Sequence, residues 1–331
     1  MVMKKIRKTD IKVFLSKYGI VFVLLLLCLL IGTIKPQFFS RSNILNVLTQ
    51  SCIFGIMSLG MTFVIISKGI DLSVGAILAF VGVVMASFAQ AGDAPGKYFP
   101  QLGELPVIIP VLIALALGAA LGAINGFFIA KVRVPPFIAT LGMMSIARGL
   151  ALIYTNGKPV SNFSVGMNQL GGIIGNFVPV PVLIYLLLII ITWVIMRNTS
   201  FGKSVYAIGG NVRAAFTSGI HVSRNYIVIY MISGIMAGVA AIVFAGRVGS
   251  INPSAANGFE LTAIAATTIG GTSHSGGIGT IWGAVVGSLI IAVLRNGLTL
   301  VGVHANWQQV IEGSIIVAAV AIDMMKNIKE I

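Results

Sequence analysis

Charged side chains are scarce in this chain: Asp, Glu, Lys and Arg make up only 9% of its 331 residues. Soluble domains carry about 25% charged residues. Here 57% of the residues are hydrophobic and the mean hydropathy is +1.02. A water-soluble fold could not bury so much apolar surface, so we expect lipid to be the solvent. The composition predicts an all-α, polytopic membrane helix bundle.

Acidic residues and cysteines are both scarce, with eight and two copies. Cys28 and Cys52 both lie in apolar segments, where two thiols provide neither a disulfide framework nor a metal site. Carriers driven by a proton or sodium gradient more often have a series of acids within their spans. The sequence has no such series, which disfavours an ion-coupled carrier.

Enzyme motifs are missing as well. Gly202-Lys203-Ser204 matches the end of the phosphate-binding loop G-x-x-x-x-G-K-[ST], but position 197 is Arg instead of Gly. The triplet also follows an apolar helix rather than a buried strand. There is no H-E-x-x-H and no G-x-S-x-G. We therefore predict no catalytic residues, no metal and no cofactor bound by this chain.

Long apolar segments are what the chain has in abundance. A helix of about 20 apolar residues spans the hydrocarbon core, and about ten segments approach this length. They are 18–35, 44–66, 73–92, 107–130, 137–155, 181–197, 225–246, 259–272, 279–298 and 306–325. The eighth is short and runs into glycines, which predicts a half-helix or a re-entrant segment.

The net charge of +14 reflects orientation rather than nucleic-acid binding, because the basic residues are scattered between apolar segments. With ten spans, 15 of the 22 Lys and Arg residues fall on the inner side and five on the outer side. This bias predicts that both termini are cytoplasmic. We divide the chain into a basic cytoplasmic segment (1–17), one transmembrane domain (18–325) and a cytoplasmic tail (326–331).

Small residues recur every four positions within several spans. This spacing places them on one helix face and predicts close helix packing. The residues are Gly118, Gly122 and Gly126, Gly234 and Gly238, and Gly279, Gly283 and Gly287.

Two polar breaks interrupt the apolar segments. In Lys68–Gly75, Asp71 or Ser73 is expected to cap the following helix or to line a solute path. Gly270–Gly279 contains five glycines, and such a break is tolerated only when it is buried or lines a cavity. His274 has no carboxylate near it in sequence, which disfavours a proton relay. The two breaks hint at an internal repeat, although both have the same orientation in this topology.

Polar residues inside the spans have two interpretations, helix–helix hydrogen bonds or contacts with solute hydroxyls. These residues are Asn125, Arg148, Asn296, Gln308, Gln309 and Glu312. Together with the breaks, they give a set of candidates for a translocation path or a structural cap. The set is Asp71, Ser73, Asn125, Thr272, Ser273, His274 and Asn296.

The segment 197–225 is the longest polar, basic interruption in the second half of the chain. After a turn over Asn198–Gly202 and a short amphipathic run, residues 212–218 could form about two helical turns. Asn211 is the expected N-cap and Gly219 the expected stop. A short helix of this kind, parallel to the membrane, is suited to docking another protein.

Four segments resemble, in order, the ribose-type permeases of bacterial ABC importers. They are KGIDLSVGAILAF, FIATLGMMSIARGLALIYTNGKPV, GKSVYAIGGNVRAAFTSGIHV and the stretch from GFELTAIAATTIGG to LRNGLTLVGV. The resemblance extends from about Pro36 to Asp323. It implies a permease subunit of the bacterial plasma membrane that moves a monosaccharide by alternating access and performs no covalent chemistry.

The resemblance also implies partners: a second copy or a sibling permease, a cytoplasmic two-domain ATPase that binds ATP and Mg, and an extracytoplasmic sugar-binding protein. The segment 197–225 would then be the coupling loop. The residues expected to contact the ATPase or to order the loop are Ala207, Gly209, Gly210, Asn211, Arg213, Ala215 and Gly219. Ribose is the favoured solute; another pentose, allose, galactose or a sugar-like autoinducer are the alternatives. An ion-coupled sugar carrier and a membrane scaffold without a path are the rival functions.

Overall fold

A computed structural model describes residues 19–175 and 177–328, with the backbone alone at 326–328. The predicted basic segment 1–17 lies outside these residues, and so do the last three residues of the predicted tail. Within the described part, helices dominate. The helices in chain order are α1 (Gly19–Ile34), α2 (Arg41–Ile66), α3 (Val74–Phe88), α4 (Ile108–Phe127), α5 (Pro136–Thr155), α6 (Val165–Gln169), α7 (Val180–Asn198), α8 (Ser200–Gly210), α9 (Val212–Thr217), α10 (Val222–Val248), α11 (Phe259–Ile269), α12 (Ile281–Val301) and α13 (Ala305–Ile328).

Each of the ten predicted apolar segments coincides with a helix. Among the described residues, seven helices are long and apolar enough to cross a membrane: α2, α4 with its π-helical extension Phe128–Val132, α5, α7, α10, α12 and α13. The other three, α1, α3 and α11, are shorter. The all-α polytopic bundle is therefore confirmed, and the predicted short eighth segment is α11. The third segment is not the full span 73–92, because α3 ends at Phe88.

Two half-helices, α3 and α11, meet head to head inside the bundle. The carboxyl group of Glu260 at the start of α11 lies against Gly75 at the start of α3, where a Cβ would overlap it. From this point α3 leads to one end of the bundle and α11 to the other. Both helices begin after a break in which the chain turns back within the protein, the arrangement that irregular backbone requires at membrane depth.

These half-helices belong to two copies of one motif. The order long helix, break, half-helix, helix, helix describes α2 to α5 and again α10 to α13. Within the bundle α10 packs along α4, as α12 packs along α2. The long helices α2 and α10 are antiparallel, since Tyr226 bonds to Ser67 at one end and Arg247 to Asn46 at the other.

The repeat hinted at by the sequence thus exists, but the breaks were paired wrongly. The counterpart of the Asp71 break is the segment 249–258 before α11, not Gly270–Gly279. The reason is that α11 starts within the protein after two residues with positive φ, Ala256 and Gly258. The sequence analysis had placed only an ordinary connection there, between the apolar segments 225–246 and 259–272. With this pairing the two copies run in opposite directions, as inverted repeats require.

Glycines bring the paired helices into backbone contact, as their spacing predicted. A Cβ on Gly234 of α10 would overlap the backbone of Gly118 on α4, and a Cβ on Gly122 would overlap the carbonyl of Tyr230. The same relation holds between Gly283 of α12 and Gly270 after α11. Close approach of this kind is the main source of helix association in a bilayer, where hydrophobic burial between helices contributes little.

Short strands gather the loops at the end of the bundle opposite α8 and α9. Strand β1 (Val160–Ser161) pairs antiparallel with β4 (Ser250–Ile251), and β2 (Ile173–Ile174) pairs with β3 (Val178–Pro179). Ala91 N also donates to Asn162 O at 2.8 Å. These bonds satisfy loop backbone that would otherwise lie unpaired near the bilayer.

Candidate translocation and coupling sites

The segment 197–225 forms two short helices, α8 and α9. Thr199 Oγ1 accepts a hydrogen bond from Gly202 N at 3.1 Å, so the helix begins at Ser200 and the predicted turn over Asn198–Gly202 is wrong. Helix α8 ends at Gly210, and Asn211 caps the start of the next helix, α9. Its Oδ1 accepts hydrogen bonds from Arg213 N and Ala214 N at 3.0 and 3.1 Å. Its predicted N-cap role is confirmed.

Helix α9 also ends as predicted and presents an outward face. Gly219 follows the helix with φ +84°, a left-handed conformation that glycine adopts without strain. Ala215 is buried beneath the helix, whereas Phe216 is 71% exposed and Arg213 is exposed. An exposed aromatic ring beside a cation, on a helix shorter than two turns, is a surface suited to a partner protein.

The C-terminal end of α8 is joined to both polar breaks. Gly277 N donates to Ile66 O at 2.8 Å, and Gly209 lies so close that a Cβ there would overlap Ile66 O and lie 2.5 Å from Gly277 N. Lys68 Nζ donates to Gly210 O at 3.3 Å. We call this set of contacts the glycine junction: Ile66, Lys68, Gly209, Gly210 and Gly277.

Tyr206 strengthens the attachment of α8 by donating its hydroxyl to Gly279 O at 2.9 Å. Tyr226, at the start of α10, donates to Ser67 O at 3.2 Å. A displacement of α8 would therefore act directly on the end of α2, on the Asp71 break and on the start of α12. Helix α8 could not shift alone without breaking these contacts.

Asp71 is fully buried, and its carboxylate is satisfied by neighbouring donors. It accepts from Ser73 N at 3.0 Å and Ser73 Oγ at 2.5 Å, and from Ser233 Oγ at 2.7 Å. Asn125 Nδ2 in turn donates to Ser73 Oγ at 2.9 Å. The network connects the start of α3 to α4 and α10. Ser73 occupies the N-cap position, but its side chain makes no capping bond to α3, so the predicted cap by Ser73 is wrong.

The Gly270–Gly279 break contains a second polar cluster. Asp323 Oδ2 accepts from Ser273 Oγ at 3.1 Å and from His274 N at 3.0 Å. His274 Nε2 is 2.8 Å from Thr268 Oγ1. A carboxylate thus lies beside His274 after all, contributed by α13. Burial lowers the pKa of His274, although Asp323 opposes the shift.

Two candidates remain: Thr272, which lies in the Gly270–Gly279 break, and Asn296 on α12. Within the described residues, Thr272 Oγ1 is a buried side-chain oxygen without a hydrogen-bond partner. Asn296 and Asn43 exchange two amide hydrogen bonds of 2.8 and 2.9 Å, a pairing that connects α12 to α2. The structure therefore brings Asp71, Ser73 and Asn125 together. It separates them from Thr272–His274 and from Asn296.

Two polar residues of these sites, Glu260 and Ser233, were missed by the sequence reasoning. Glu260 is 8% exposed and Ser233 is 1% exposed, both beside the point where α3 and α11 meet. An acid at the start of a short apolar segment was the available signal for Glu260; Ser233, an isolated small residue, gave none.

Arg148 of α5 donates from NH1 to Pro253 O and to Ala255 O at 2.8 Å each, and these bonds hold the break before α11.

An ion pair connects the last two helices. Glu312 of α13 accepts two hydrogen bonds from the guanidinium of Arg295, which also lies 4.6 Å from the ring centre of Phe54. Arg295 Nη2 donates to Thr262 Oγ1 at 3.0 Å as well. Arg295 and Glu312 therefore act as helix–helix contacts, the first of the two interpretations of intramembrane polar residues.

A family model for the permease component of the branched-chain amino acid transport system matches residues 43–320. The chain belongs to this family. The permease is 41% identical over 317 residues to the ribose import permease protein RbsC of Bacillus subtilis, covering 95% of this chain and 94% of that protein. It is 39% identical to Escherichia coli K12 RbsC over 328 residues, with 97% and 98% of the two chains covered.

The galactose/methyl galactoside import permease protein MglC of Escherichia coli K12 is 39% identical over 331 residues, with 98% of each chain covered. No solved structure matches the permease. Membership and full-length similarity make the chain a transport subunit of an ABC importer rather than an enzyme. It is a multi-pass inner-membrane protein that works with an ATPase and a solute-binding protein.

Proposed function

We propose that the permease imports a monosaccharide, with ribose favoured, by alternating access driven by ATP hydrolysis in a separate subunit. The observation that carries this proposal is near full-length similarity to two ribose import permeases, at 41% and 39% identity. Similarity to a galactose/methyl galactoside permease at 39% keeps galactose as the second candidate. Another pentose, allose or a sugar-like autoinducer remain alternatives within the family.

In this proposal α8 and α9 are the coupling helices that contact the ATPase. Phe216 and Arg213 lie on the outward face, and Asn211 and Gly219 fix the shape of α9. Ala215 is buried and Ala207 is half-buried, while Gly209 and Gly210 provide the attachment to the rest of the permease. Support comes from the glycine junction. Through its contacts, a displacement of α8 would act on the Asp71 break and on the Gly270–Gly279 break.

The point where α3 and α11 meet is the proposed centre of the solute path. It lies beside the Asp71, Ser73, Asn125 and Ser233 network and the carboxyl group of Glu260. Hydroxyl, amide and carboxylate groups are suited to the hydroxyls of a sugar, and two half-helix starts are typical of transporter sites near the membrane centre. Inverted repeats around such a point provide the two halves that alternate.

The finer composition of the importer follows from the same proposal. Two copies of this permease, or one copy and a sibling, would pair in the membrane, with a two-domain ATPase binding ATP and Mg on the cytoplasmic side. The charge bias of 15 inner against five outer basic residues supports cytoplasmic termini and a cytoplasmic coupling loop. A sugar-binding protein would dock at the opposite end, where β1 and β4 gather the loops.

Uptake into proteoliposomes tests the solute. The permease is reconstituted with its ATPase and binding protein, and labelled ribose is added outside with ATP inside. We expect uptake of labelled ribose. An excess of unlabelled ribose should abolish this uptake, and the same concentration of unlabelled galactose should leave it unchanged. Stronger inhibition by galactose than by ribose would contradict the favoured solute while leaving the transport function intact.

A further inference from the structure

A cavity of about 430 Å³ lies where α7 ends, α8 begins and α12 starts. Its polar and aromatic lining consists of Trp193 and Arg197 of α7, Lys203 and Tyr206 of α8, Thr280, and Trp282 of α12. None of the described residues that line it is acidic. The transport mechanism uses neither this cavity nor its two cations.

The two cations are not neutralised within the described part of the permease, where the one salt bridge joins Arg295 and Glu312. The guanidinium of Arg197 lies 5.2 Å from the ring centre of Trp193. This stacking holds the cation at the cavity while its donors stay available. Arginine offers paired donors that match the oxygens of a phosphate, and lysine adds a point charge.

The start of α12 adds a third positive element. Thr280 Oγ1 accepts from Gly283 N at 3.0 Å and caps this 21-residue helix beside the cavity. The unpaired N–H groups and the dipole of a helix favour an anion at this end. The cavity therefore combines two side-chain cations with a helix start, a combination suited to a phosphate group.

The surroundings of the cavity face lipid. Along α7, one to two turns before Arg197, Ile190 is 59% exposed, Ile191 is 42% exposed and Val194 is 38% exposed. The indole of Trp282 is 58% exposed. Tryptophan concentrates at the level of lipid headgroups. The cavity thus lies where the apolar outer surface of α7 gives way to the basic loop.

We propose that this cavity binds the phosphate headgroup of an anionic phospholipid, with Arg197 and Lys203 as the phosphate ligands and with acyl chains along α7. Basic cavities between membrane helices on the cytoplasmic side bind such headgroups in other proteins. The lipid would bridge α7, α8 and α12 at the base of the coupling loop. A soluble phosphate would gain nothing from the exposed isoleucines of α7. The proposal does not depend on which solute is carried.

The test measures lipid binding to the purified full-length permease in detergent micelles. Dioleoylphosphatidylglycerol, dioleoylphosphatidylcholine and inorganic phosphate are titrated separately by microscale thermophoresis. The variant carries Arg197→Gln and Lys203→Gln. The control variant carries Lys131→Gln and Arg224→Gln, which removes the same charge from exposed positions at the same end of the bundle. Thermal unfolding of both variants checks that the fold is kept.

We expect the wild type and the control to bind phosphatidylglycerol more tightly than phosphatidylcholine. The Arg197 and Lys203 variant should lose about thirtyfold in affinity for phosphatidylglycerol. An equal loss in the control, or binding of inorganic phosphate as tight as that of the lipid, would overturn the proposal. The proposal would also be overturned if the Arg197 and Lys203 variant kept its lipid affinity but no longer co-purified with the ATPase. The cavity would then bind a protein.

Discussion

Replacing Gly209 with Ala should reduce ATP-driven uptake by about tenfold or more, within the range typical of coupling free energies between sites. A methyl group at this position would overlap Ile66 O and crowd Gly277 N. Both obstacles are backbone atoms that cannot rotate away, so α8 must move and the glycine junction must open. Uptake and ATP hydrolysis are measured together in proteoliposomes, where hydrolysis should continue while uptake falls.

Gly210→Ala is the matched control for this prediction. The two glycines are adjacent, but a Cβ on Gly210 meets no atom within 4 Å in the described residues. We expect this variant to keep most of its uptake. If both variants lose uptake equally, the cause lies on the surface that meets the ATPase, and the glycine junction is not the route of coupling.

Replacing Gly234 with Val should prevent normal assembly of the helix bundle. The new side chain would overlap the backbone of Gly118, so α4 and α10 would have to separate along the most extensive helix–helix contact among the described residues. Overpacking a well-packed site costs about 1–3 kcal/mol and occasionally more. We expect a lower unfolding temperature and less protein in detergent, measured by thermal unfolding of the solubilised permease.

Gly142→Val provides the comparison for this second prediction. Gly142 lies within α5, and a Cβ there meets no atom of the described residues within 4 Å. Both variants place a β-branched residue in a membrane helix, so the difference between them reports the contact with α4 alone. Equal stability of the two variants would show that the glycine contact between α4 and α10 contributes little.

The sequence was sufficient to locate the helices because apolar segments are a direct requirement of the bilayer. All ten predicted segments correspond to helices, and the four-residue glycine spacing marked the close contacts correctly. Asn211 and Gly219 were also recognised, since caps depend on local chemistry that neighbouring residues reveal. Each of these features depends on residues that lie close together in the sequence.

Contacts between distant segments could not be predicted in the same way. Asp323 bonds to His274 from 49 positions away, and Glu260 lies beside Gly75 across most of the chain. The true partner of the Asp71 break was missed for this reason, because residues 249–258 are recognisable as a break only when α11 is seen to start inside the protein. Ser233 gave no signal at all, although it donates to Asp71.

The glycine junction is the feature that neither the spacing of residues nor the resemblance revealed. Gly209 and Gly277 were each noted as parts of separate motifs. The structure adds that both glycines contact Ile66. The loop is therefore packed directly against the Asp71 break and the Gly270–Gly279 break. This contact provides a physical basis for the proposal that the loop, whose phosphate-binding motif is incomplete, responds to ATP bound by a separate subunit.

Uptake of labelled ribose into proteoliposomes, with ATP and with a proton gradient compared side by side, tests the central claim most directly. We predict uptake only when the ATPase, the binding protein and internal ATP are all present, and none by the permease alone under a proton gradient. Gradient-driven uptake by the permease without ATP would contradict the account and identify an ion-coupled carrier instead.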